Sequence, residues 1–224
     1  MIKAVIFDMF ETLVSLFEGR TYFGEDIAAD VGADVTSFRK EWHLIEVDRT
    51  IGKYTIEEGL ELVLKKLGIY SKEKVELAAG KRREALEDTF SGIPNETFEM
   101  LDELKKRNIK TCLITNTFSD ERDFIRSSGL LPYFDEAIIS YEEGIRKPDP
   151  EIFRRMLERL DLKAEECLYV GDGGSRELYA ARDAGMHPVQ CTWFQSMAFE
   201  PHIPCRVLDE FDHADTQMDI FRYL

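Results

Sequence analysis

The sequence predicts an α/β protein in which a doubly wound, Rossmann-like parallel sheet carries an inserted helical cap domain. The sheet is predicted because short apolar runs recur along the chain and amphipathic helical stretches separate most of them. The insertion is predicted because the region from about Val14 to Phe90 shows helical periodicity alone, and its roughly 75 residues are too many for a connecting loop.

The strands are placed at apolar runs that end in polar or turn-forming residues. Such a run is typical of a strand buried on both faces of a parallel sheet. The first run ends at Asp8. The tail from Asp209 is short and acidic, and it shows no pattern that predicts a further helix or strand. The predicted strands are, in chain order, Ile2–Phe7, Lys110–Thr115, Ala137–Ser140, Cys167–Val170 and Pro188–Trp193.

Helices are predicted around the later strands. Ser119 is suited to an N-cap, because its hydroxyl can accept from a backbone N–H of the first turn, and Gly185 supplies a C-terminal stop. Crossovers between parallel strands are right-handed, so the helices cover the faces of the sheet. The predicted helices are Thr97–Arg107, Ser119–Ser128, Asp149–Leu160 and Ser175–Ala184.

The inserted region is predicted to be a cap, entered and left close to the end of the first strand. Thr55 and Glu58 have the spacing of a capping box that opens a helix over Ile56–Leu67. The basic run Lys81–Arg83 is interpreted as solvated surface rather than a binding patch. The predicted division is a core formed by residues 1–15 and 91–224, with a cap formed by residues 16–90.

Composition limits the partners and the compartment. The 224 residues carry a formal charge of −15, which argues against nucleic acid or an anionic membrane surface as the main partner. Local lysines and a metal ion still permit a small anionic substrate. No apolar stretch reaches membrane-spanning length, no signal-peptide pattern opens the chain, and the four cysteines form no CxxC pair. We therefore expect a cytoplasmic protein; the oligomeric state is left open.

Four segments carry polar residues to one edge of the predicted sheet. Asp8 ends the first strand, Thr115 and Asn116 end the second, Lys147 follows the third, and Asp172 ends the fourth. The carboxyl ends of parallel strands share an edge, and open α/β sheets bind their ligands there. Taken singly, each residue fits a turn or a helix cap. Together they predict a functional site.

These segments resemble the haloacid dehalogenase superfamily, in the branch whose helical cap follows the first strand. The resemblance covers roughly residues 1–195. It is carried by four motifs in order. They are FDMFETL at Phe7–Leu13, LITNT at Leu113–Thr117, RKPDPEIF at Arg146–Phe153 and VGDGGSRELYAARDAGM at Val170–Met186.

The resemblance implies a nucleophile and a metal site. Asp8 corresponds to the carboxylate that forms a covalent intermediate. Mg²⁺ would be held by the carboxylates of Asp8 and Asp172 and by the backbone carbonyl of Phe10, an all-oxygen set that suits this cation. The family roles thus make Mg²⁺ the expected cofactor.

The resemblance also implies a phosphoryl-binding set. Thr115 and the adjacent backbone at Asn116 would hydrogen-bond the phosphoryl oxygens, and Lys147 would place a positive charge beside them and beside Asp8. Glu177 stands where relatives usually carry an aspartate. It is expected either to contact the metal through water or to orient Lys147.

Phe10 departs from the phosphatase pattern. Phosphatases of this superfamily usually carry a second aspartate there, which protonates the leaving oxygen and then activates water. A phenyl ring transfers no protons, and the loss of a general acid–base typically lowers a rate by ~10²–10⁴-fold. Glu11, the nearest carboxylate, lies one step along the turn and is interpreted as structural.

Three functions therefore stay open at the level of sequence. The first is a Mg²⁺-dependent phosphohydrolase acting on a small phosphorylated metabolite through an aspartyl-phosphate on Asp8. The second is a metal-independent hydrolase of the 2-haloacid dehalogenase type, in which an aromatic residue occupies the position of Phe10. The third is a catalytically reduced member that binds a ligand without turnover. The loop Gly171–Ser175 resembles the metal-binding phosphatase type and favours the first.

Overall fold

The computed structural model describes residues 1–202 and 204–224, and within them the chain forms a six-stranded, all-parallel sheet. Its spatial order is β3-β2-β1-β4-β5-β6, so the predicted doubly wound α/β core is confirmed. The strands are β1 (Ala4–Phe7), β2 (Lys110–Thr115), β3 (Glu136–Ile139), β4 (Cys167–Gly171), β5 (His187–Cys191) and β6 (Asp212–Ala214).

Strand β1 lies at the centre of the sheet, where the strand order reverses. Its Ile6 is in register with Cys112 of β2 on one side and with Tyr169 of β4 on the other. All four β1 residues are fully buried, as expected of an uninterrupted apolar run. The carboxyl ends of these three strands consequently meet at one place, which is the topological switch point where such sheets bind ligands.

Helices account for the insertion and cover the sheet. Thr55 and Glu58 form the predicted capping box, each side chain accepting from the other residue's backbone N–H at 3.2 and 2.8 Å. The inserted helices are α1 (Gly24–Val31), α2 (Val35–Leu44), α3 (Glu46–Thr50), α4 (Ile56–Lys66) and α5 (Lys72–Ser91). The later helices are α6 (Asn95–Lys106), α7 (Ser119–Ser127), α8 (Ser140–Glu143), α9 (Pro150–Leu160) and α10 (Glu177–Asp183). No helix in the described part of the chain is long and apolar enough to cross a membrane.

Buried apolar residues form separate clusters in the sheet region and in the insertion. One cluster on each face of the sheet takes alternate residues of β1, such as Phe7 and Ile6. A further cluster contains only residues between Tyr22 and Ala85, with Phe38, Leu60 and Leu64 fully buried. An independent cluster of this kind supports the predicted core and cap boundaries, which stay a prediction.

One local prediction is wrong, and one region without a prediction forms regular structure; tertiary contacts explain both. Ser119 is the first residue of α7 rather than its cap, and its hydroxyl accepts instead from the backbone N–H of Ile56 at 2.8 Å. The tail from Asp209 supplies β6 and a 3₁₀ helix over Gln217–Tyr223. Strand β6 is only three residues long and gains its stability from pairing with β5, which a local pattern cannot show.

The interpretation of Lys81–Arg83 as solvated surface is wrong for Arg82. Its guanidinium is largely buried between α5 and α7, where Nε donates to Asp120 Oδ2 at 2.9 Å and another nitrogen bonds Glu121. Burial raises the pKa of Glu121 to about 7 even beside this cation. The arginine therefore joins the insertion to the sheet region through a buried ion pair.

Replacing Arg82 by methionine is expected to lower the free energy of unfolding by about 3–5 kcal/mol, because two buried carboxylates would lose their partner. Denaturant unfolding followed by circular dichroism measures the change. Arg83→Met is the matched control: Arg83 pairs with Glu57 on the surface, where loss of an ion pair costs at most about 1 kcal/mol. Equal effects of the two substitutions would contradict the assignment.

Candidate active site

Asp8 lies directly beyond β1, at the switch point of the sheet. Its backbone N–H donates to the Val170 carbonyl at 2.9 Å, which continues the pairing of β1 with β4 and fixes the residue. The carboxylate Oδ1 accepts from the Met9 N–H at 2.7 Å and lies 2.6 Å from Lys147 Nζ. The residue is 8% exposed, so its carboxylate is nearly withdrawn from solvent.

Lys147 reaches this carboxylate from the loop between α8 and α9. The lysine is 1% exposed, and its ammonium contacts Asp8, Glu177 and the Tyr169 hydroxyl. Asn116 holds the loop in place, because its side chain accepts from the Lys147 backbone N–H at 2.8 Å and donates to the Lys147 carbonyl at 3.1 Å. The structure thus brings three of the predicted site residues together.

Three carboxylates cluster at the site, and two of them, Asp8 and Glu177, contact the ammonium group. Oxygen atoms of Asp8, Asp172 and Glu177 lie within 4.8 Å of one another. Burial, followed by repulsion from Glu177, raises the pKa of Asp8 to about 7, and burial raises the pKa of Asp172 well above its ordinary value. When all four side chains are ionised, three negative charges and one positive charge leave a net charge of −2.

This charge and this chemistry fit a divalent cation. Mg²⁺ prefers carboxylate and carbonyl oxygens and usually keeps several water ligands. Burial is the largest cause of the raised pKa values of Asp8 and Asp172, and repulsion from Glu177 is the second, so a cation beside these carboxylates would favour their ionised forms. Ligation by Asp8, by Asp172 and by the Phe10 carbonyl stays a prediction.

The loop after β4 is shaped by glycine. Asp172 Oδ1 accepts from the Gly174 N–H at 2.9 Å, and Glu177 Oε1 accepts from the Gly173 N–H at 3.2 Å. A Cβ at Gly171 would lie 2.2 Å from Glu177 Oε1, so a side chain there would displace the carboxylate. Gly173 has φ +94°, a conformation that residues with a Cβ rarely adopt.

The remaining predicted residues occupy the same edge of the sheet. Thr115 is buried at the end of β2, and its hydroxyl donates to the Asn116 carbonyl at 3.3 Å. Glu11 accepts from the Leu16 N–H and the Ser15 hydroxyl, both at 2.8 Å, so its interpretation as structural agrees with its contacts. Thr115 as a phosphoryl ligand stays a prediction.

The Phe10 ring packs beside the insertion. It meets Phe90 edge to face with 6.3 Å between ring centroids, and Phe90 stacks on Phe124 of α7 at 5.8 Å. Phe90 belongs to the last turns of α5, where the chain leaves the insertion. The position that usually holds an acid therefore contributes to apolar packing between the insertion and the core.

Sequence reasoning missed two polar residues of the site. Tyr169 looked like one more apolar residue of β4, yet its hydroxyl lies 3.2 Å from both Lys147 Nζ and Glu177 Oε2. Gln190 of β5 is fully buried and donates to the Asp172 carbonyl at 2.8 Å. The available signal was a polar side chain within an otherwise apolar strand. Such a side chain is buried and needs hydrogen-bond partners, which here are groups of the site.

The fold and the site together define a Rossmann-like hydrolase that has an acidic centre at the switch point of its sheet and a helical insertion after its first strand. The chain belongs to the haloacid dehalogenase-like hydrolases, whose family model matches residues 2–185. The resemblance seen in the sequence is thereby confirmed.

The chain is similar over most or all of its length to a curated phosphatase and to solved structures. A glyceraldehyde 3-phosphate phosphatase from Methanopyrus kandleri is 28% identical over 231 aligned residues, spanning 100% of this chain and 99% of that one. A 2-haloacid dehalogenase from Pseudomonas syringae is similar in structure, with a TM-score of 0.65, 24% identity and 100% of both chains covered. A HAD family enzyme from Bacteroides thetaiotaomicron, solved with magnesium and inorganic phosphate, has a TM-score of 0.62 and 18% identity over 86% of this chain and 95% of that one.

Proposed function

We propose that the protein is a Mg²⁺-dependent phosphohydrolase that acts on a small phosphorylated metabolite through an aspartyl-phosphate on Asp8. The observation that carries the proposal is the cluster of Asp8, Asp172 and Glu177, two of which pair with the buried Lys147; the four groups carry a net charge of −2 when all are ionised. A dianionic phosphoryl group approaches such a cluster only when a cation offsets the repulsion. The full-length likeness to a glyceraldehyde 3-phosphate phosphatase supports the same activity.

Asp8 is placed to act as the nucleophile. Its carboxylate oxygen forms a bond to phosphorus as the bond to the leaving oxygen breaks, and water then cleaves the aspartyl-phosphate to release inorganic phosphate and restore the carboxylate. The Met9 N–H and the Lys147 ammonium orient the attacking group through Oδ1. Bound Mg²⁺, held by Asp8, Asp172 and the Phe10 carbonyl, would supply charge neutralisation.

Lys147 and Thr115 complete the site. The ammonium is buried, which strengthens its attraction to charge that develops on the phosphoryl oxygens. The Thr115 hydroxyl and the backbone at Asn116 provide hydrogen bonds at the end of β2. Asn116 also fixes the Lys147 loop through its amide, so its contribution to substrate binding is partly indirect.

Phe10 selects among phosphorylated substrates. Without an acid at this position, the leaving oxygen departs unprotonated, which favours acyl and aryl phosphates over alkyl phosphates. Four free cysteines, three of them buried, fit a reducing compartment, and we place the enzyme in the cytoplasm.

Phe10→Asp is expected to raise the rate on alkyl phosphates by ~10²-fold, because it introduces a general acid beside the leaving group. Steady-state rates with glyceraldehyde 3-phosphate and p-nitrophenyl phosphate measure the gain and its dependence on the leaving group. Phe10→Asn is the control, since it removes the same ring from Phe90 and adds no acid. An unchanged alkyl phosphatase rate in a folded aspartate variant would show that Phe10 does not limit catalysis.

A substrate panel tests the proposed function directly. Acetyl phosphate, p-nitrophenyl phosphate, glyceraldehyde 3-phosphate and 2-chloropropionate are each incubated with Mg²⁺ and with EDTA. The proposal expects phosphate release that requires Mg²⁺. Phe10 favours a second candidate function, that of a dehalogenase, because a halide ion leaves without protonation. If the protein is a dehalogenase, chloride should be released from 2-chloropropionate in EDTA. Ligand binding without turnover of any compound would identify the catalytically reduced member.

A further inference from the structure

Tyr169 is a fully buried residue of β4 whose polar tip reaches the active site. Its ring packs in the apolar cluster on one face of the sheet and lies 5.5 Å, centroid to centroid, from Phe153. A phenylalanine would serve that packing equally well, since only the hydroxyl distinguishes the two side chains. A buried tyrosine hydroxyl needs a partner, and this one has two: it accepts from Lys147 Nζ and donates to Glu177 Oε2, both at 3.2 Å.

The hydroxyl completes the set of contacts around Lys147. An ammonium group has three hydrogens to donate, and Nζ of Lys147 faces three acceptors, namely Asp8 Oδ1, Glu177 Oε2 and the Tyr169 oxygen. Two of these acceptors, Glu177 of α10 and Tyr169 of β4, are also hydrogen-bonded to each other. The third hydrogen is directed at Asp8.

The contacts of Lys147 with Glu177 and with Tyr169 differ in what they contribute. Glu177 supplies an opposite charge, which keeps Lys147 ionised and close, but one contact leaves the ammonium free to rotate about it. Tyr169 supplies a second, neutral contact, and its ring is fully buried in the apolar cluster that contains Phe153. Gly171 permits this arrangement, since a Cβ there would lie 3.2 Å from Tyr169 Cε1.

We propose that Tyr169 is a positioning residue whose hydroxyl, together with Glu177, fixes the Lys147 ammonium so that its remaining N–H points at Asp8 and at the phosphoryl group transferred to it. This inference rests on the proposed function for its catalytic consequence and on contacts alone for its geometry. The two contacts orient the Lys147 ammonium. This orientation stabilises the transition state most, because negative charge develops there on the phosphoryl oxygens.

Tyr169→Phe tests the inference in the full-length enzyme with Mg²⁺. Removing the hydroxyl is expected to lower kcat roughly tenfold, the typical worth of one hydrogen bond to a charged group, with KM changed by at most about twofold. Inhibition by orthovanadate, which mimics the transition state, should weaken by the same factor. Tyr179→Phe is the matched control, because it removes an exposed hydroxyl bonded to Glu210 and should alter none of these values.

A second measurement separates this inference from the proposed function. In ¹⁵N NMR, a fixed, buried lysine ammonium gives a signal in slow exchange with water, which Lys147→Met assigns by its loss. The inference expects this signal in the wild type and in Tyr179→Phe, and its broadening in Tyr169→Phe. If no phosphate is released from any substrate, the proposed function fails and the NMR comparison still decides the geometry. An unchanged signal, or an unchanged kcat in an active enzyme, overturns the inference.

Discussion

Asp8→Asn is expected to abolish hydrolysis, with a loss of at least about 10⁴-fold in rate, while the protein stays folded. The amide has the shape of the carboxylate and is a far poorer nucleophile. It also removes one of three clustered negative charges; burial first and repulsion from Glu177 second raise the pKa of Asp8, and a neutral amide avoids both costs. Initial rates on acetyl phosphate and p-nitrophenyl phosphate measure the loss.

Covalent labelling adds a direct test of the nucleophile. After an acid quench with ³²P-labelled substrate, the wild type should retain label and Asp8→Asn should not. Glu11→Gln is the control, because that carboxylate bonds Ser15 and the Leu16 backbone rather than Lys147. Label retained by Asp8→Asn would move the nucleophile to another residue.

Removal of the metal is the second change with a large expected effect. EDTA should lower the rate by at least about 10³-fold, because a bound cation contributes several kcal/mol of charge stabilisation, and added Mg²⁺ should restore it. Asp172→Asn should raise the Mg²⁺ concentration needed for half-maximal rate, since it removes one carboxylate from the cluster. A full rate in EDTA would favour the dehalogenase-type candidate.

The metal should also change how stability depends on pH. In the folded, metal-free protein the pKa of Asp8 is about 7, whereas its ordinary value, which applies to the unfolded chain, is 3.8. At a pH between these two values, the folded state therefore binds more protons than the unfolded state. Stability of the metal-free protein should therefore fall as pH rises from about 4 to 7. Mg²⁺ should offset the loss, and melting temperatures with and without Mg²⁺ should diverge towards pH 8. Parallel curves would contradict cation binding at Asp8.

Much of the site followed from local patterns. Asp8, Thr115, Lys147 and Asp172 stand at the ends of predicted strands or just after them, and parallel strands bring their carboxyl ends to one edge whatever their separation in sequence. The helical insertion was equally readable, because amphipathic periodicity without a strand leaves a cap domain as the simplest arrangement. These features depend on the spacing of apolar residues and on the order of the elements along the chain, and both can be read directly from the sequence.

Contacts between distant segments were not readable in this way. Arg82 looked solvated because its neighbours are charged, and its burial depends on Asp120 and Glu121 of α7. Strand β6 exists only by pairing with β5. In each case the deciding partner lies elsewhere in the chain.

The sequence by itself determined the parallel sheet, the inserted helices and which strand ends carry polar groups, because hydrophobic period and chain order decide these. Only the tertiary structure decided how the groups act on one another. It showed the ammonium of Lys147 shared among Asp8, Glu177 and Tyr169, and the ring of Phe10 packed against Phe90. The physical reason is that hydrogen bonding, desolvation and charge coupling depend on distances of a few ångströms between segments remote in sequence, and no local pattern encodes them.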